Sequence, residues 1–182
     1  IHSFEPAAAT FAALQQAKPN HMGVVLNNLA LGAAPGKAEL YYDAEKSGLA
    51  SLTKRDLGFR KIEFERHETI TISTLDVYCA EKSINHIDWL KLDVEGHEFD
   101  VLRGGSAMFA KRAVDLVTFE FGGCNIDTRT FLRDFYQFFE KQEMDLYRIT
   151  PGGYFNQVKR YRETEEQFAT ANFVAMRRAT NA

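Results

Sequence analysis

A chain of 182 residues, 45% hydrophobic and 26% charged with a net charge of −3, has room for one domain with a full core and little for a second. Its bases are scattered apart from short pairs such as Lys159-Arg160 and Arg177-Arg178, so no nucleic-acid partner is expected, and no apolar run approaches the roughly 20 residues of a membrane span. Cys79 and Cys124 show neither CxxC nor metal-ligand spacing, and they read as buried thiols of a reducing, cytoplasmic compartment.

Ile1 to Pro6 reads as the end of a strand, stopped by Pro6, which has no N–H to give a ladder. Ala7 to Lys18 carries Phe11 and Leu14 at helical spacing and is closed by Pro19-Asn20. Met22 to Leu26 is a second strand, running into Asn27-Asn28-Leu29-Ala30-Leu31-Gly32. Pro35-Gly36 marks a turn before a short antiparallel strand, Lys37 to Tyr42. Asp43 to Arg60 lacks periodicity and reads as a surface loop over the site. Lys61 to Ile72 alternates as extended chain, and Ser73 or Thr74 caps a helix that runs to about Ser83.

Ile87 to Val94 is an apolar run of strand length. Glu98 to Arg112 is a helix in which Gly104-Gly105 costs about 1 kcal/mol per glycine relative to alanine, which suits a kink or a close approach. Ala113 to Phe121 is a strand, and Thr128 to Gln142 an amphipathic helix with Phe131, Leu132, Phe135, Phe138 and Phe139 on its buried side. Asp145 to Ile149, Tyr154 to Lys159 and Ala171 to Met176 complete the strands. The alternation predicts an α/β sheet, mostly parallel, into which the last strand inserts antiparallel.

The chemistry concentrates where the strand from Ile87 ends. Period two places Trp89, Lys91 and Asp93 on one face and Leu90, Leu92 and Val94 on the other. A lysine inside a strand calls for a partner, and the acids ending this strand and the next are the candidates. Asp93, Glu95, His97 and Glu98 fall within six residues around Gly96, which permits a sharp turn. Glu98, at a helix start, is explained by the macrodipole. Glu120 ends the following strand, which a helical crossover brings close to the first. Carboxylates with an imidazole can ligate a divalent cation or take a proton from a hydroxyl or amine, and the residues leave both open. Glu5, an acid ending an early strand, suits ribose hydroxyls. His2, His21, His67 and His86 read as surface residues, and Tyr154, Phe155 and Tyr161 as packing.

Phe4-Glu5-Pro6, Asn28-Leu29-Ala30-Leu31-Gly32 with Gly36, Thr74-Leu75-Asp76, the block Asp88 to Glu98, Val101-Leu102-Arg103-Gly104-Gly105 and Glu120 together resemble the FkbM family of methyltransferases, from Ile1 to about Phe121. Lys91-Leu92-Asp93-Val94-Glu95-Gly96-His97-Glu98 is the specific part. The resemblance implies a Rossmann-like class I methyltransferase sheet with an antiparallel last strand in a single domain over residues 1–182. It also implies S-adenosylmethionine as cofactor and methyl transfer to a hydroxyl of a small-molecule acceptor, a sugar or secondary metabolite. By the same resemblance Glu5 binds the ribose, Asn28, Leu29 and Ala30 lie along the adenine, and Asp93 sits near the transferred methyl. Glu95, His97 and Glu120 line the acceptor side, with His97 the first choice of base, Glu120 or Glu95 the second and a metal-assisted alkoxide the third; no residue is assigned as a metal ligand.

The family's first strand and its glycine-rich loop belong before Glu5 and are not in the sequence. The expectation is therefore a longer parent protein, a gap at the centre of the sheet, and an exposed edge that favours a homodimer. A non-catalytic methyltransferase-shaped binding module is the rival reading. A nucleotide-dependent dehydrogenase lacks its GxGxxG.

Overall fold

The computed structural model describes residues 1–17 and 23–179. In chain order the elements begin with β1 (His2–Phe4), α1 (Ala8–Ala17), β2 (Val25–Asn27), β3 (Ala30–Leu31), β4 (Gly36–Tyr42), β5 (Arg66–Ser73) and α2 (Leu75–Glu81). They continue with β6 (Ile87–Leu92), α3 (Glu98–Gly104), α4 (Ser106–Ala110), β7 (Val114–Phe121), α5 (Cys124–Thr128), α6 (Leu132–Lys141), β8 (Met144–Ile149), β9 (Phe155–Gln157) and β10 (Ala171–Arg177). The expected helix end at Pro19-Asn20, the strand start at Met22 and the surface reading of His21 lie outside the described residues.

The architecture is mixed α/β and compatible with a Rossmann-like fold. In the five-stranded sheet, ordered β6-β7-β10-β8-β9, β6 pairs parallel with β7, and β10 lies antiparallel between β7 and β8. β6, β7 and β8 therefore point one way, and the last strand inserts antiparallel as expected. β1 and β2 pair parallel in a sheet of their own, and β3-β5-β4 form a third. One continuous sheet is thus not what forms: among the described residues β1 and β6 each keep an unpaired edge.

Several boundaries move for local reasons. The helix expected from Glu98 to Arg112 breaks at Gly105, and both glycines are close approaches: a Cβ on Gly104 would collide with the Gly32 carbonyl and one on Gly105 would lie 2.7 Å from Leu75. Asp76 caps the second piece by accepting the N–H groups of Ala107 and Met108 at 2.8 and 3.0 Å. Thr74, not Ser73, caps α2, its hydroxyl accepting from Val77 N at 3.1 Å. The helix expected from Thr128 starts instead at Leu132, where the distant Glu166 carboxylate accepts the N–H groups of Leu132 and Arg133; Thr128 belongs to the short α5. Of the stretch Lys61–Ile72 only β5 is strand, and Phe64 before it is buried.

The core lies between the five-stranded sheet and helices α3, α4 and α6. Phe119 and Phe135 stack at 4.6 Å, with Phe121, Phe139 and Phe173 around them, all but excluded from water. Leu92 is buried on this face, whereas Trp89 and Lys91 on the other face of β6 are exposed. Strand alternation was legible here, but the apolar run read as a buried strand, and the exposure of its Trp89–Lys91 face was not.

Candidate active site

β6 ends at Leu92, and the chain turns into α3 through Asp93-Val94-Glu95-Gly96-His97. Glu95 and Gly96 both have positive φ, +52° and +99°. Gly96 is needed there twice over, since a Cβ would lie 3.0 Å from Cys124 and Thr128. Glu98 closes the turn. One of its oxygens accepts the N–H groups of Val94 and Gly96 at 3.0 and 3.3 Å, and the other is buried without a partner. Burial pushes this carboxyl up despite the backbone hydrogen bonds. Glu98 is therefore a clasp on the turn, beyond the dipole role expected of it.

Asp93 and Glu120 meet at the strand ends. The last β6–β7 pair is Leu92 with Phe119, and one step further Asp93 and Glu120 come up on the face of Lys91 and Thr118. The Glu120 carboxylate has no hydrogen-bond or ion-pair partner among the described residues. Its carboxyl is pushed up by burial first, then by the charges of Asp93 and Glu95, with Lys91 opposing. Lys91 pairs with Asp93 at 2.9 Å and is exposed; the expected partner is thus an acid at its own strand end.

Glu95 is engaged through one carboxylate oxygen and its backbone carbonyl. Its Oε2 accepts from Arg55 Nη1 at 3.2 Å and from the Cys124 thiol at 3.1 Å, and its backbone carbonyl accepts from Ser51 Oγ at 2.9 Å. Arg55, with only 8% of its side chain exposed, also donates to Asp127 at 2.9 Å. The Asp43–Arg60 segment does cover the site, but it is not simply a surface loop: Ser51 and Leu57 are buried and Arg55 ties it to the turns after β6 and β7. Burial, then Glu95, push the Cys124 thiol up to about 12, so it stays a protonated donor. Cys79 and Cys124 are both free, Cys79 buried as expected and Cys124 half-buried.

His97 is held at both ring nitrogens. Nδ1 lies 2.9 Å from Asp100 Oδ2, and Nε2 lies 3.0 Å from Thr53 Oγ1. The structure thus brings Asp93, Glu95 and Glu120 together and sets His97 beside them on its own pair of partners.

At the end of β1, Glu5 Oε1 accepts the Ala7 N–H at 2.8 Å, and its other oxygen has no partner among the described residues. Burial first, and then the nearby Glu68, push its carboxyl up, with the Ala7 bond opposing. Asn28 Nδ2 donates to the carbonyls of Glu5 and Pro6 at 2.9 and 3.0 Å, Leu29 packs against the core, and Ala30 opens β3. A carboxylate with one free oxygen at a strand end fits ribose hydroxyls. A cation fits less well. The described residues whose ligand atoms converge, within 4.8 Å, are His86, Asp88 and Asp115 at the starts of β6 and β7, away from the crevice; Asp93, Glu95, His97 and Glu120 do not converge.

Sequence reasoning missed Thr53, Arg55, Asp127 and Glu68, which reach the site across 40 or more residues in the case of Arg55 and leave no local signal. Asp100 did leave one, its helical i,i+3 spacing from His97.

Carboxylates gathered outside the carboxyl ends of parallel strands in a mixed α/β domain lie where such sheets bind their ligands. The profile of the methyltransferase FkbM domain matches residues 1–147, and the chain belongs to that family. A fungal relative, "Methyltransferase 1" of Beauveria bassiana (strain ARSEF 2860), is 31% identical over 120 residues, covering 57% of this chain and 48% of the relative. The chain spans about half the length of that curated relative. No solved structure matches it.

Proposed function

We propose that the chain is the methyltransferase domain of an S-adenosylmethionine-dependent enzyme acting on a hydroxyl oxygen of a small molecule, a sugar or secondary metabolite. The carrying observation is the Asp93–Glu120 pair: two carboxylates from adjacent parallel strands facing one crevice, the second unpartnered and pushed up by burial. S-adenosylmethionine, when bound, supplies a methyl group on an electrophilic sulfonium. The chain's residues have to bind, orient and remove a proton. Glu5 takes the ribose, Asn28, Leu29 and Ala30 the adenine side, and Asp93 the methionine end. Glu95 ranks behind His97 and Glu120 as the base, because Arg55 and Cys124 both hold its Oε2. The crevice ligands do not converge on a cation, and no step runs through one.

The unpaired edges of β1 and β6 support a further strand between them in a longer parent protein. A second copy pairing at β6 is the competing occupant. Free cysteines support a cytoplasmic setting, and no helix among the described residues is long and apolar enough to cross a membrane.

Calorimetric titration of S-adenosylhomocysteine into the full-length parent and into the 182-residue chain tests the reading, followed by a panel of glycosides as acceptors. Binding to the parent that is lost in Glu5→Ala supports the cofactor site. A folded parent that binds nothing moves the assignment to a non-catalytic binding module, a reading the split sheet favours.

A further inference from the structure

His97 sits in a hydrogen-bonded order that the acidic crevice does not explain. An ionised carboxylate only accepts, so Asp100 Oδ2, 2.9 Å away, fixes the proton on Nδ1. The hydrogen bond from His97 holds the Asp100 carboxyl below its usual range. In the neutral ring Nε2 is then the acceptor, and Thr53 Oγ1 at 3.0 Å donates to it. Carboxylate, imidazole, hydroxyl is the order in which a hydroxyl is made nucleophilic.

The hydroxyl in place belongs to the segment that covers the site. That segment is anchored on both sides of Thr53, by Ser51 on the Glu95 carbonyl and by Arg55 on Glu95 and Asp127. Thr53 can therefore change rotamer without the segment leaving. The charged groups facing the ring are Asp100 and the buried Glu98, with Arg103 behind Asp100 at 3.8 Å.

We propose, resting on the methyl-transfer reading, that Asp100, His97 and Thr53 form a hydroxyl-activating relay. Asp100 positions the ring, His97 Nε2 takes the acceptor's proton, and Thr53 Oγ1 holds the place of the acceptor oxygen until it arrives. The proton passes from the acceptor oxygen to Nε2, and the electron pair stays on the oxygen for the new bond to the methyl carbon; that carbon's bond to the sulfonium sulfur breaks with its pair left on sulfur, giving the neutral thioether S-adenosylhomocysteine, and the imidazolium returns the proton to water. Thr53 and Asp100 are positioning residues; His97 is the base, in preference to Glu120.

The full-length protein with ¹⁵N-labelled histidine tests the relay without any acceptor. The neutral ring of His97 is expected as the Nδ1–H tautomer, and Asp100→Asn, which offers an amide N–H in place of a carboxylate, shifts it toward Nε2–H. Thr53→Val frees Nε2 and accelerates carbethoxylation of His97 by diethyl pyrocarbonate several-fold, while Thr53→Ser keeps the slow rate. With a methylated glycoside in hand, Asp100→Asn lowers kcat by roughly 10²–10⁴-fold, and Thr53→Val lowers the acceptor's KM by removing its competitor. An Nε2–H tautomer in the unaltered protein, or a reactivity of His97 indifferent to Thr53→Val, overturns the relay. Glu120→Gln abolishing turnover with Asp100→Asn active transfers the base to Glu120. Failure of S-adenosylhomocysteine to bind, with the tautomer and acylation results as expected, sinks the methyl-transfer reading and leaves the relay's geometry standing.

Discussion

The two ends of the proposed crevice are held in opposite ways. Around the turn after β6, side chains from three distant segments converge, and beneath it lie Phe119, Phe121, Phe135 and Phe139, all essentially inaccessible to water. Around the end of β1, no residue of β1, α1 or β2 is fully buried. That end hangs largely on Tyr78, whose ring meets Phe4 edge-on at 4.7 Å and whose hydroxyl bonds Asn27 at 3.0 Å and His2 at 2.7 Å. The β6 end is organised by its own core, while the β1 end is organised by a few polar bonds beside an open strand edge. Pre-organisation of one end without the other is what a split sheet produces.

The largest test of this contrast is Phe135→Ala. Removing a ring that stacks on Phe119 and touches Phe99 and Phe121 should cost about 3–5 kcal/mol, read as a fall in the urea midpoint of the whole domain. Next comes Arg55→Met. It leaves the Glu95 and Asp127 carboxylates, 17% and 23% exposed, without their cation, and about 3 kcal/mol should be lost. Proteolysis within residues 43–60 should accelerate in the same variant, because the segment loses its tie to both turns.

How much of this was legible follows from the range of each interaction. Strand alternation separated the two faces of β6, and the Asp93–Glu98 block marked the candidate site, since both signals are local. The resemblance brought out Gly32, Gly104, Thr74 and Asp76, whose roles are steric or capping: Gly104 meets the Gly32 carbonyl, Thr74 caps α2 and Asp76 caps α4. Illegible were the contacts closed by tertiary structure, such as Arg55 on Glu95 and Glu166 on the start of α6. Helical spacing predicted α1, yet none of its residues is buried; periodicity reports the capacity to pack, not the presence of a partner.

Glu98→Gln should change a slope. Burial holds the native carboxyl above the ordinary value of 4.5, so over a window opening near that value the native state binds more protons than the unfolded chain. Stability from this group is complete below that value and is lost as pH rises through the native pKa. One proton limits the slope to about 1.4 kcal/mol per pH unit. Urea midpoints from pH 4.5 upward should therefore decline less in Glu98→Gln than in the unaltered protein. Asp100, held low by His97, acts oppositely, its contribution being lost as pH falls below the ordinary 3.8.

Tyr78→Phe keeps the ring and removes the hydroxyl bonds to Asn27 and His2, a loss of about 1 kcal/mol. The effect should be local. Hydrogen exchange should quicken at the Glu5 and Val25 amides, which pair across β1 and β2, and stay unchanged in β7. Equal acceleration in β7 would mean that the two ends share one cooperative unit.

Lys91→Met is the smallest and tests the open face of β6. The Lys91–Asp93 pair is 63% and 53% exposed, so solvent screening leaves it about 0.5 kcal/mol or less. The urea midpoint should hardly move. The Glu120 carboxyl, however, loses the charge that opposes its upward shift, and its titration, followed by ¹³C NMR, should move further up. A large loss of stability instead would mean that the face bearing Trp89, Lys91 and Asp93 is covered in solution, and the contrast between a finished β6 end and an unfinished β1 end would fall with it.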